Sequence, residues 1–261
     1  VIAFLEDLAE RAVPAARAEY AELEAFAKTF DGRTQLEAWD VGYYSERLRE
    51  ARYQLSPEDL RPYFQADQVM AGLFAVVQRL FAVTITERTD VDTWHDDVHF
   101  YEIHDADGDL RGQFYTDLYA RSHKRGGAWM ATARGRMGHG GALQTPVAFL
   151  TCNFTPPVGD KPALITHGEV ETLFHEFGHG LHHMLTRVDA ASVAGINGVA
   201  WDAVELPSQF LENWCWEREA LDLFAAHHET GEPIPETLFE RMTAARNFQA
   251  AMQMVRQLEF S

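Results

Sequence analysis

Only two of the 261 residues are cysteine, Cys152 and Cys215. That is too few for a disulfide framework and fits a reducing compartment. No apolar run approaches the ~20 residues that cross a bilayer as a helix. Positive charge is scarce as well: 22 Lys and Arg against 40 Asp and Glu leave a formal net charge of −18. Such a balance excludes a protein that tracks nucleic-acid phosphates. Internal repeats and low-complexity linkers are lacking, so the chain reads as one continuous unit. What remains is ordinary globular material, 46% hydrophobic and 24% charged, which excludes disorder and can build a core without staples. The unusual count is histidine, with twelve residues that cluster.

The hydrophobic pattern divides the chain coarsely. Helical periodicity runs through 1–29, 39–54, 57–64 and 67–81, a helical region over 1–81, with Ser56-Pro57 as a cap and first-turn proline. A strand-rich region follows over 82–155. Val83–Arg88 is one candidate strand, Val98–His104 pairs with Gly112–Tyr119 across the turn Asp105-Ala106-Asp107-Gly108, and Pro146–Phe154 is another strand. Helices return over 166–220, and a helical tail fills 221–261. Val1 opens directly on a helical pattern and Ser261 ends one, with no start or stop signal. These ragged ends read as a piece of a longer protein, so the absence of a signal peptide says nothing.

Chemistry concentrates in THGEVETLFHEFGHGLHHML, residues 166–185. Thr166 and Glu169 form a capping box, and Val170, Leu173, Phe174, Phe177, Leu181 and Met184 make one apolar stripe. Inside this helix His175, Glu176, Phe177, Gly178 and His179 spell H-E-x-x-H. Residues four apart are offset by about 40° and about 6 Å, so both imidazoles reach one metal ion. They fall on the side opposite the stripe, toward a cleft. A catalytic zinc needs a third ligand and an open position. In ASVAGINGVAWDAVELPSQFLENWCWERE, Gly195 and Gly198 mark a flexible connection and Asp202 is the expected cap of a second helix. Glu205, Gln209, Glu212 and Trp216 share a face of that helix, with Pro207 kinking it or confining Glu205 to the first turn. Geometry alone leaves Glu205 and Glu212 both eligible. His182 lies about 10 Å along the helix from His175, too far for the same ion.

HEFGH followed by SVAGINGVAWDAVELPSQFLENWCWE resembles the thimet oligopeptidase family of zinc metallopeptidases, as do FYTDLYARSHKRGGAWM and LQTPVAFLTCNF upstream. The resemblance covers most of residues 90–220. It implies His175, His179 and Glu205 as ligands of one Zn2+ ion and Glu176 as catalytic base, which separates Glu205 from Glu212. It also implies a mainly α fold with a small β-sheet (α+β): a zincin-like helical metallopeptidase core beside a deep substrate channel, here incomplete at both ends and forming a single catalytic-domain fragment. The implied activity is hydrolysis of short oligopeptides by a zinc-bound water, with cytoplasmic location and no nucleic-acid or membrane partner. Peptidyl-dipeptidase action within the same family, or a catalytically inert peptide-holding or structural-zinc fragment, are the alternatives. The family's tyrosine- and histidine-rich substrate-binding segment is expected beyond Ser261, because the last tyrosine here is Tyr119. Preferred cleavage sites and oligomeric state have no signature in the sequence.

Other features read more plainly. Pro146–Phe154 is either a plain core strand or a strand that holds substrate backbone by strand addition. Asp105, Asp107 and Asp109 resemble a calcium loop, but their glycine falls at the wrong place and a hairpin turn is preferred. Arg121, Lys124 and Arg125 before Gly126-Gly127 are placed to grip a carboxylate or phosphate, with a solvated loop the preferred reading on an acidic chain; Cys152 and Cys215 read as buried thiols, and His227 and His228 as solvent-exposed. His182 and His183 are candidates either for supporting the metal ligands or for the surface.

Overall fold

The computed structural model describes residues 1–261. Helices α1 (Ile2–Asp31), α2 (Ala38–Tyr53), α3 (Pro57–Leu60) and α4 (Ala66–Phe81) come first. Strands β1 (Thr84–Glu87), β2 (Val98–His104), β3 (Leu110–Tyr119), β4 (Trp129–Arg134), β5 (Met137–His139), β6 (Ala142–Gln144) and β7 (Val147–Phe154) follow. Then come α5 (His167–Met184), α6 (Leu206–Glu212), α7 (Arg218–Leu221), α8 (Glu236–Ala245) and α9 (Ala250–Leu258). The expected helix over 57–64 is α3 continued by a tighter three-residue turn at Arg61–Tyr63, because Pro62 cannot donate an α-helical bond.

The chain folds as two compact units, 1–59 with 235–261, and 60–234. In the first, Leu23 and Ala27 of α1 bury against Leu36, Tyr44 and Leu48. Helix α1 stops at Gly32, whose φ of 83° lets its N–H close on the Lys28 carbonyl. The tail breaks between α8 and α9, where Gln249 takes a left-handed φ of 55°. Glu19 of α1 then accepts from the first amides of α9, Ala251 at 3.3 Å and Met252 at 2.8 Å. A carboxylate at a helix start satisfies donors that have no partner within the helix.

The second unit carries a five-stranded mixed sheet in the order β1-β2-β3-β7-β4, parallel only between β3 and β7. The turn at Asp105–Gly108 is the expected hairpin: Asp105 Oδ1 accepts from Asp107 N and Asp109 N, at 3.2 and 3.0 Å. Strand β7 is buried along nearly its whole length and pairs on both sides. It therefore has no free edge, and the expectation that Pro146–Phe154 adds a substrate strand is overturned. The open edge near it belongs to β4, which sequence patterning missed because its outer half is exposed and lacks apolar alternation. Helix α5 packs on the sheet through Phe177, whose ring lies 5.1 Å from that of Phe114 and 6.0 Å from that of Phe74.

The basic segment after β3 is not a solvated loop. Asp117 is buried in β3, and a buried carboxylate must be met by donors. Arg121 supplies two hydrogen bonds, at 2.6 and 2.7 Å, Lys124 one at 2.7 Å, and the Trp94 indole one at 3.1 Å. Arg125 instead covers the Trp129 ring at 5.4 Å. Burial by itself pushes the Asp117 carboxyl up, but the Arg121, Lys124 and Trp94 donors outweigh it and hold the group at about 2. Unfolded aspartate titrates near ~3.9. The stabilisation is thus full above that value and is lost as pH falls through the folded one. Denaturant unfolding from about pH 5 down to about pH 2 should show stability falling in this window. Asp117→Asn should flatten that part of the curve and lower stability at neutral pH.

Candidate metal centre

Helix α5 begins as the sequence indicates. Thr166 Oγ1 accepts from Glu169 N at 3.2 Å, and Glu169 Oε2 accepts from Thr166 N at 2.7 Å. Its stripe from Val170 to Met184 is buried. His175 and His179 project from another face, their rings 4.9 Å apart and nearly perpendicular. Helix α6 crosses α5 at Gly178. A Cβ added there would lie 2.6 Å from both the Pro207 carbonyl oxygen and Ser208 Cα, so only glycine permits this approach.

The crossing delivers Glu205. This residue caps α6, with Pro207 in the first turn; the cap expected at Asp202 is not formed, and Asp202 lies in the preceding turn. Glu205 Oε2 lies 3.2 Å from His175 Nε2 and 3.1 Å from His179 Nε2. Ligands held at ~2.0–2.1 Å in a tetrahedron are separated by about 3.3–3.4 Å. Two imidazole nitrogens and one carboxylate oxygen at this spacing fit a divalent, borderline-soft ion, and their ligand atoms all lie within 4.8 Å of one another. The Nδ1 atom of His179 is buried with no hydrogen-bond partner.

Residues around the trio complete the geometry. Ser208, fully buried, donates to the Glu205 carbonyl at 2.8 Å and lies 2.9 Å from Glu205 Oε2. Sequence reasoning passed over Ser208; its only signal is the three-residue spacing from Glu205 across a helix start. Glu212, left eligible as a ligand by helix geometry, lies instead on the other edge of His175, with Oε1 2.5 Å from Nδ1. Glu176 accepts from the Met130 N–H of β4 at 2.8 Å. His183 is buried, with Nε2 3.0 Å from the Arg134 carbonyl. His182 borders a cavity of about 790 Å³ with Leu181, Leu185, Leu206 and Phe210; burial, then the charges of His179 and His183, lower its pKa. Neither His182 nor His183 joins the trio.

The remaining candidates are structural. Cys152 and Cys215 are buried free thiols; burial, then the Glu176 charge, pushes Cys152 up to about 12, and burial followed by Glu171 and Glu212 raises Cys215. His227 and His228 are half-buried, contrary to the expected exposure. The His227 ring meets the Tyr63 ring at 5.3 Å, and the His228 amide bonds the Pro62 carbonyl at 2.9 Å.

An H-E-x-x-H helix joined by a glutamate from the next helix defines the class of a metallopeptidase centre. The chain belongs to Peptidase family M3, whose match covers residues 1–261. It is 59% identical over 261 residues to Oligopeptidase A of Salmonella typhimurium and 58% identical to that of Escherichia coli, covering 100% of this chain and 38% of each relative. It is also 37% identical over 239 residues to the Dipeptidyl carboxypeptidase of Salmonella typhimurium, covering 90% of this chain and 34% of that protein. The chain thus spans little more than a third of the length of these relatives. No helix is long and apolar enough to cross a membrane.

Gly178→Ala should separate α6 from α5. Overpacking of this kind costs about 1–3 kcal/mol, to be read as a lower denaturation midpoint. An unchanged midpoint would mean that the close crossing is not needed for stability.

Proposed function

We propose that His175, His179 and Glu205 bind one Zn2+ ion and that Glu176 is the general base of a metalloendopeptidase acting on short oligopeptides. The observation that carries this reading is the convergence of both Nε2 atoms on one Glu205 oxygen, at 3.2 and 3.1 Å. Membership of a peptidase family supports the peptide substrate. Identity of 59% to an oligopeptidase A, against 37% to a dipeptidyl carboxypeptidase, favours endopeptidase over peptidyl-dipeptidase action. Three protein ligands without a thiolate favour a catalytic centre over a closed structural one.

Zinc held by these residues would polarise the scissile carbonyl and lower the pKa of water from 15.7 toward about 7. Glu176 lies about 100° around the helix from His175, so its carboxylate faces the attacking water instead of the metal. It takes the water's proton as the oxygen attacks the carbonyl carbon. It then delivers that proton to the amine as the C–N bond breaks. The Met130 amide holds the Glu176 carboxylate at 2.8 Å, which limits the rotamers from which that transfer starts. The open edge of β4 replaces Pro146–Phe154 as the strand along which an extended peptide aligns. Both compact units belong, in this reading, to one zincin-like catalytic domain, and two unpaired buried thiols fit a cytoplasmic protein.

One zinc per chain is expected by metal analysis, and Glu205→Gln should reduce that occupancy. In the full-length enzyme, Glu176→Gln should keep zinc and lower cleavage of a quenched-fluorescent oligopeptide by roughly 10²–10⁴-fold. Cleavage at the wild-type rate would refute Glu176 as the base.

A further inference from the structure

We propose that Glu212 is the positioning carboxylate of the metal centre, holding His175 in the Nδ1–H tautomer so that Nε2 presents its lone pair toward His179 and Glu205. The inference rests on the metal-centre reading above. Its foundation is the 2.5 Å contact between Glu212 Oε1 and His175 Nδ1. An ionised carboxylate only accepts hydrogen bonds, so the proton at this contact belongs to the imidazole nitrogen. A neutral ring protonated at Nδ1 is unprotonated at Nε2, the atom that lies 3.2 Å from Glu205. The two ring nitrogens point to opposite edges, so a carboxylate bound at Nδ1 does not share an ion held at Nε2. This removes Glu212 as a ligand and gives it a different task.

The surroundings of Glu212 support that task. It ends α6, where the backbone dipole disfavours a carboxylate; the His175 N–H offsets this. The three-residue turn that follows, Asn213–Cys215, is tied to α5. His167 Nε2 lies 2.9 Å from the Cys215 carbonyl, and the Trp216 indole donates to Glu171 at 2.6 Å. Both ends of the Glu212–His175 hydrogen bond are thereby held by the same pair of helices. His179 has no equivalent, since its Nδ1 is without a partner. His175 is therefore the pre-oriented imidazole of the two. Partners of this kind typically change metal affinity by about 10–100-fold.

The test uses Glu212→Leu and Glu212→Gln. Zinc affinity, measured by competition with a chromophoric chelator, should weaken about 10–100-fold in Glu212→Leu and less in Glu212→Gln, which keeps an acceptor oxygen without the charge. Nitrogen-15 NMR of the metal-free chain near pH 9, with the ring assigned through His175→Gln, should show the Nδ1–H tautomer in wild type and Nε2–H in Glu212→Leu. A merely structural role would weaken zinc binding without moving the tautomer. Unchanged affinity in either variant, or a wild-type ring already in the Nε2–H form, overturns the inference. Should the leucine variant not fold, the glutamine variant decides by the same affinity comparison, and the wild-type tautomer stands independently. Failure of wild type to bind zinc would instead sink the metal-centre reading, while the tautomer still reports on Glu212.

Discussion

The geometry of the centre depends on how closely two helix backbones approach at Gly178. With 2.6 Å separating the place of a Cβ from the Pro207 carbonyl and Ser208 Cα, α6 lies against α5 with no side chain between them. Pro207 shapes the first turn of α6, Ser208 is buried beneath it, and Glu205 is left at the helix start facing two imidazoles. Close packing turns a backbone contact into a fixed position for the Glu205 carboxylate. The glycine inside H-E-x-x-H therefore does structural work that the histidines need, although it carries no chemistry itself.

Helix α5 also reaches the sheet by two polar contacts as well as by its apolar stripe. Glu176 accepts from the Met130 amide, and His183 meets the Arg134 carbonyl. Both partners lie on β4, the strand with an open edge. Helix α5 is thus tied by two of its side chains to the backbone of that edge strand. Asp117, with its Arg121, Lys124 and Trp94 donors, braces β3, which β7 separates from β4. A short sheet with a buried charge is held by these donors because an unpaired carboxylate there would be costly.

Much of this was legible before coordinates. Helices with strong apolar periodicity, the capping box at Thr166 and the buried run of β7 follow from local rules. The errors share a different origin. Strand β4 is half-buried over its first three residues and exposed over its last three, and so has no alternation to read. Asp202 has the chemistry of a helix cap, but α6 starts later, at Glu205, under the control of Pro207 and the crossing at Gly178. Arg121 and Lys124 look solvated until Asp117 is known to be buried. His227 and His228 look exposed until Tyr63 and Pro62 are brought against them by the fold. In each case the deciding partner is distant in sequence or hidden by burial.

For the centre itself, spacing in the sequence determined that His175 and His179 share a helical face, because one turn of an α-helix brings i and i+4 together. The same spacing placed Glu176 about 100° away on that helix. It could not choose between Glu205 and Glu212, which share a face of the next helix. Tertiary structure separates them by setting the crossing point and rotation of α6, which puts Glu205 on the Nε2 side of His175 and Glu212 on the Nδ1 side. Local periodicity dictates what lies on one helix. Which edge of an imidazole a carboxylate meets depends on how two helices pack, and no stretch of sequence read by itself contains that information.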